Sequence, residues 1–265
     1  MSEPEVEDRP ERRVGWQLSR QRLVEMTVVI FGVLIALGLE NLVEEIRLRG
    51  DARRLEQDFQ TDIVSAVRNS LERQMTAPCQ IQTLMALTER VVASDGGWQA
   101  APTVSAGTVA LALPAPYRAA SRIWTTASFD RALGSEAFKR IPRERAETYS
   151  VLFAGIGTRR EANSAEYFAI SSLTPLAFSQ ANVDAEVRTG MLQNLALADR
   201  HRALALIQAN QFIEQALSLT GDADIRPHIL ASRSDFEEGV DYVEANYGTC
   251  VDRGAFDRLM KQVAF

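Results

Sequence analysis

The chain has 265 residues, 46% hydrophobic and 24% charged, values that exclude a wholly disordered polymer and allow one large domain or two small ones. A formal net charge of −6 gives no field that gathers nucleic acid, and two cysteines with two histidines are too few for any familiar structural zinc site. Fifteen glycines and nine prolines exclude a collagen-like or linker composition.

The first predicted element is a membrane-spanning helix. Met26 to Leu39 carries no charge but covers only about 21 Å, short of a hydrocarbon core of about 30 Å. Leu23 to Val43 reaches about 31 Å and brings in Glu25, Glu40 and Asn41, all in the outer turns where polar groups reach headgroups or water. Trp16, two turns further out, suits the interface. A cleaved signal peptide, with Ala36 and Gly38 as its small residues, and a buried core helix of a soluble protein are the competing readings. Gly32 and Ala36, four apart, form a small face through which two copies would pack as a homodimer.

Glu25, Val28-Val29-Ile30, Gly32 to Leu37, Asn41 and Glu44 form a string that resembles the anchor of a bacterial family of uncharacterised single-pass proteins. The likeness covers residues 20–72, including the charged helix Arg53-Arg54-Leu55-Glu56 through Asp62-Ile63. It departs at Leu42 and Val43, where many members carry a Trp soon after the Asn. The resemblance implies an inner-membrane anchor with an extracytoplasmic helical domain, and it supplies no activity and no catalytic residue. Arginines nearly balance across the span, with Arg9, Arg12, Arg13, Arg20 and Arg22 before it and Arg47, Arg49, Arg53 and Arg54 after it. Long carboxyl-terminal domains translocate largely regardless of such charges, so the expected topology is amino terminus in the cytoplasm, domain in the periplasm.

The organisation that follows is a tail at 1–22, a span at 23–43, a juxtamembrane helix at 44–75 and a helical domain at 76–265. The first helix is expected to run from about Gln17 to Met75, with Leu48, Ala52, Leu55, Phe59, Ile63, Ala66 and Ser70 on one face, and to end before Pro78. Thr76 then caps a second helix whose inner face is Ile81, Leu84, Met85, Thr88, Val91 and Val92, stopped by Asp95-Gly96-Gly97. Residues 98–118 read as irregular, with a short strand or loop at Thr108–Leu113. Helices follow at Ala119–Leu133, from Pro142 to about Ala177, from Asp184 to about Leu219, from Ser234 to Tyr247 and from Phe256 to Val263. Ile123, Tyr149, Tyr167, Leu204 and Ile207 are among the residues expected to face inward. The fold class is all-α, an anchor helix followed by a helical bundle.

No catalytic constellation emerges, and no cofactor is expected. AGIGTRR at 154–160 has half the spacing of a phosphate loop but lacks the following Lys-Ser/Thr and lies in a helical run, so Arg159 and Arg160 read as solvated surface. His201 lies among Asp199, Arg200 and Arg202 without a positioned partner. His228, near Asp222 and Asp224, lacks the further ligands a metal needs. Glu44-Glu45 and Glu237-Glu238 are adjacent and point apart on a helix. Trp98, Tyr117, Trp124 and Phe129 suit either a core or a ligand pocket. The expected function is binding or scaffolding at the bilayer with an unidentified protein or ligand. A membrane-tethered enzyme with an unrecognised site and a soluble cytosolic helical protein are the alternatives.

Cys79 and Cys250, the only cysteines, both lie outside the span beside predicted helix ends, and are expected to form a disulfide. Buried free thiols in a cytosolic protein are the alternative.

Overall fold

The computed structural model describes residues 12–94, 96–103, 116–120 and 122–264, with side chains from residue 24 onward except at 222. Its seven α-helices are α1 (Arg12–Val92), α2 (Ala127–Ala132), α3 (Arg143–Ser171), α4 (Ala185–Leu217), α5 (Arg226–Ala231), α6 (Arg233–Tyr247) and α7 (Gly254–Val263). The strand considered at Thr108–Leu113 falls outside the described residues. Two compact units divide the chain, Met1–Ala52 and Arg53–Phe265.

In the first unit the apolar stretch of α1 has no protein cover: Val24, Phe31, Leu37 and Val43 are all more than half exposed. It is the one helix among the described residues long and apolar enough to cross a bilayer, with a mean hydropathy of 2.2 over its most apolar window.

In the second unit the remainder of α1 is a core element. Phe59, Ile63, Val67, Leu71 and Met75 recur every fourth residue and are buried. Polar residues on the same stretch bond back along the helix: Ser70 Oγ donates to the Ala66 carbonyl at 2.8 Å, and Thr76 Oγ1 to Glu72 at 2.9 Å. Phe59 is the hub of an aromatic cluster, its ring centroid 5.2 Å from Tyr149, 5.4 Å from Phe153 and 5.6 Å from Phe129. A second cluster joins Leu84, Leu87 and Val91 of α1 to Trp98, Tyr117, Leu173, Leu176 and Leu195.

The helix does not end before Pro78, and Thr76 caps no second helix. Proline removes the hydrogen bond its N–H would have made to the carbonyl one turn back, yet α1 continues to Val92. The carbonyl left without that donor is Gln74's; packing holds the helix on either side of the proline, where the Asp252 N–H donates to the Met75 carbonyl at 2.9 Å and Cys79 stands beside Cys250. Thr76 is instead a buried residue of the helix interior.

Three further expectations need correction. Only Ala127–Ala132 of Ala119–Leu133 is helical, and Ile123 is 89% exposed. The β-branched run Ile123, Thr125 and Thr126 favours extended backbone, and Asn69 Nδ2 donates to the Ile123 carbonyl at 3.0 Å. The helix from Pro142 stops at Ser171, because Pro175 supports only a 3₁₀ turn at Thr174–Ala177. The face chosen for the second half of α1 is rotated: Leu84, Leu87 and Val91 point inward, whereas Ile81, Met85 and Val92 are exposed, as are Tyr167, Leu204 and Ile207. Helix α5 and a two-residue ribbon, Gly97–Trp98 antiparallel to Gln180–Ala181, had no clear periodic signal. Gly97 is required there, because a Cβ would stand 2.2 Å from the Gln180 carbonyl oxygen.

Asp184 does begin α4, its carboxylate accepting from the Val187 N–H at 2.8 Å. Arg159, by contrast, is not solvated: it is 6% exposed between α3 and α4. Its Nη1 donates to the Gly155 carbonyl at 2.5 Å, Nη2 donates to Gln208, and the guanidinium lies 4.4 Å from the Phe212 ring centroid. Gly155 makes the room, since a Cβ would sit 2.9 Å from Nη1. Burial without a carboxylate lowers the Arg159 pKa to about 10. Arg159→Met is therefore expected to leave the unfolding free energy no lower than that of the parent chain in a urea titration, because the desolvated charge is removed and its stem volume kept. A loss above about 2 kcal/mol would reveal a compensating partner for the cation.

Candidate functional site

The boundary residues Glu25, Glu40 and Asn41 are exposed, and Gly32 and Ala36 share a face with no protein atom within 4 Å of a Cβ built at Gly32. The Trp16 side chain falls outside the described residues. Cys79 and Cys250 stand at disulfide distance with Cα atoms 5.0 Å apart, a separation that a bridge accommodates.

Among the residues weighed for chemistry, His228 is exposed, in one concavity with Ser65, Ser232 and Asp235 but with its imidazole hydrogen-bonded to none of them, and His201 is half-buried. Trp98, Tyr117, Trp124 and Phe129 are buried; the first two share one core cluster, and Phe129 stacks on Phe153 in the other, with ring centroids 4.6 Å apart. Among the described residues no group of three or more His, Cys, Asp or Glu side chains is placed to hold a metal ion.

At least four concavities adjoin α1; one of about 160 Å³ sets Thr61 and Ser65 beside His228, Ser232 and Asp235, and two others are lined mainly by charge or by apolar surface. The first of these two, of about 260 Å³, lies between α1 and α6, with Arg68, Asn69, Glu72, Arg122, Asp235, Glu238 and Tyr242 around an apolar base of Leu71, Met75 and Val240. Helical spacing places Arg68, Leu71, Glu72 and Met75 on one face of α1, and Asp235, Glu238, Gly239 and Tyr242 on one face of α6. Arg122 closes one end, its Nε 2.5 Å from Glu72 Oε2 and its guanidinium 4.6 Å from the Tyr242 ring centroid. Burial works against the charge on Arg122, but the hydrogen bond and negative charge of Glu72 outweigh it and raise its pKa. Nearby, the Tyr247 hydroxyl donates to the Ala119 carbonyl at 3.1 Å, and its pKa is raised by burial and then by Glu72. The polar groups that line this cleft are guanidinium groups, carboxylates, one amide and one phenol.

The second is an apolar groove of about 430 Å³ between the later part of α1 and α4, formed by Ile81, Leu84, Met85, Leu192, Leu195 and Ala196. Arg202, at one end, is held by Asp199, with Nη2 2.7 Å from Oδ1.

Neither cleft was anticipated. The available signal was surplus hydrophobicity: the later part of α1 carries one apolar stripe at Leu84, Leu87 and Val91 and another at Ile81, Met85 and Val92. A helix in a small bundle buries one such stripe, so the other marks exposed surface. No family model matches the chain, and neither does a curated protein or a solved structure.

Proposed function

We propose that the chain is a single-pass membrane protein whose domain after the span is a binding module on the extracytoplasmic side. The observation that carries this reading is the uncovered apolar stretch of α1: twenty successive residues from Val24 to Val43 are exposed, and they lie in the most apolar stretch of that helix. A soluble core helix would have its apolar side chains covered by its own domain, and at about 25 cal/mol per Å² the exposure of so long a stretch to water is untenable without a bilayer or another chain. The cysteine pair at disulfide distance supports an oxidising compartment for the domain, and hence the topology with the amino terminus in the cytoplasm. The clefts lined by charge or apolar surface support binding, and in the smaller concavity where Ser65 and Ser232 stand near His228 and Asp235 no hydrogen bond joins a hydroxyl to either base.

Fractionation tests the anchor. The native chain is expected to stay with membranes through an alkaline carbonate wash, and a variant lacking residues 24–43 to leave them. Recovery of the native chain in the supernatant would sink the reading. A photo-cross-linking residue at Glu238 or Met85, followed by intact-mass measurement on the purified chain, tests the module. A discrete adduct is expected, and unmodified mass at both positions would overturn it.

A further inference from the structure

The α1–α6 cleft holds charges of both signs that the described protein leaves unneutralised. Arg68 on α1 and Asp235 and Glu238 on α6 line it, and none of the three side chains has a hydrogen bond or ion pair among the described residues. Arg122 commits its Nε to Glu72 and its face to Tyr242, and no other hydrogen bond holds its terminal nitrogens there. A simple anion in the cleft would meet carboxylates as well as guanidinium groups, and a simple cation would meet the reverse. One small molecule carrying both charges would engage both sets.

Size narrows the class. About 260 Å³ is just below the usual range for drug-sized ligands, so the occupant is small. Leu71, Met75 and Val240 lie beneath the cleft but are only 1–2% exposed, so it is the charged rim that meets a ligand. Gly239 on the cleft wall adds a separate indication. Glycine destabilises a helix interior, yet a Cβ at this position would make only ordinary contact, 3.8 Å from Arg68 Cδ. Neither packing nor backbone demands it, and its effect is to widen the cleft.

We propose that this cleft binds a free α-amino acid. Its carboxylate faces Arg68 and the terminal nitrogens of Arg122, and its ammonium faces Asp235 and Glu238. Arginine suits the carboxylate because its planar fork donates two parallel hydrogen bonds. The assignment rests on the reading of the domain as a binding module and names what it takes.

Calorimetric titration of the full chain in detergent micelles tests it, with L-leucine, 3-methylbutylamine and 4-methylpentanoate as probes. The last two are leucine without its carboxylate and leucine without its ammonium. L-leucine is expected to bind, each truncated analogue at least tenfold more weakly. Arg68→Gln and Asp235→Asn, both surface changes, are each expected to weaken L-leucine binding at least tenfold without moving the unfolding temperature. Absence of binding by glycine, L-alanine, L-leucine, L-methionine and L-glutamine overturns the assignment, as does equal binding of either analogue or unaltered binding to both variants. A protein cross-linked at Glu238 together with no amino-acid binding would remove the zwitterion and leave the binding module standing.

Discussion

Reducing the link between Cys79 and Cys250, or replacing either residue with serine, is expected to lower the unfolding free energy of the helical domain by about 2–5 kcal/mol. For a domain of this size that corresponds to a fall of about 5–15 °C in Tm. The two cysteines are 171 residues apart in sequence, and closing so long a loop gives about 5 kcal/mol in the chain-entropy treatment, with measured gains usually smaller. The folded state should survive reduction. Helix α7 is docked independently by Phe256, Leu259, Met260 and Val263, all buried, and the Asp252 N–H still meets the Met75 carbonyl. The stabilisation thus acts through the unfolded chain, which becomes more expanded when the link is cut, so the urea m-value should rise as the midpoint falls. Equilibrium urea unfolding with and without reductant, followed by far-UV circular dichroism, measures both. An identical midpoint in the two titrations would mean the thiols are unpaired in the purified protein, and the support for an oxidising compartment would go with it.

The parts of the fold legible in the sequence are those where one physical signal acts alone. The uninterrupted apolar run marks the exposed stretch of α1, and Asp184 marks the start of α4 because its carboxylate has a local partner, the Val187 N–H. The end of α1 was misplaced because tertiary contacts hold the helix through Pro78, the Asp252 N–H on the Met75 carbonyl before it and Cys250 beside Cys79 after it. Asp252, 174 positions beyond Pro78, lies outside any local window. Residues 119–126 misled for the opposite reason. Their apolar spacing fits a helix, but their partners are the Asn69 amide and the Glu72 carboxylate on α1, which hold the segment by its backbone and by Arg122.

The candidate site was less legible still. Arg68, Glu72, Asp235 and Glu238 are individually ordinary helix-surface charges, and only the pairing of α1 with α6 brings them to one cleft. The same holds for Arg159: Arg-Arg in a polar stretch reads as solvated, and its burial depends on Gly155 one turn earlier and on Gln208 and Phe212 of α4. A mid-helix glycine four residues before an arginine was the available signal, since the missing Cβ is where the guanidinium lies.

Glu166→Ala is expected to cost the domain about 3–5 kcal/mol. The Arg73 and Glu166 side chains are 4% and 0% exposed, with Nη1 and Oε2 2.6 Å apart, and Arg73 Nη2 also donates to Asn163 Oδ1 at 2.7 Å. Removing the carboxylate leaves a guanidinium in the core with one amide for company, whereas removing both charges leaves none. Arg73→Met with Glu166→Leu should therefore recover most of the loss, and the cycle of single and double variants gives the coupling energy. The same carboxylate should be visible in the pH dependence. The Tyr117 hydroxyl, buried and without a hydrogen-bond partner among the described residues, has its pKa raised by burial first and by the negative charge of Glu166 second. A folded pKa above the unfolded value of about 10 stabilises the fold fully below that pH, and the contribution is lost as pH climbs through the folded pKa. Stability should consequently fall above about pH 10, and less steeply in Tyr117→Phe, which deletes the ionising group and the unpartnered hydroxyl together. Urea midpoints for Glu166→Ala, Arg73→Met, the double variant and Tyr117→Phe at neutral and alkaline pH measure these effects. A change below about 1 kcal/mol in Glu166→Ala would be the cost of a solvated surface pair, and would remove Arg73 and Glu166 from the core.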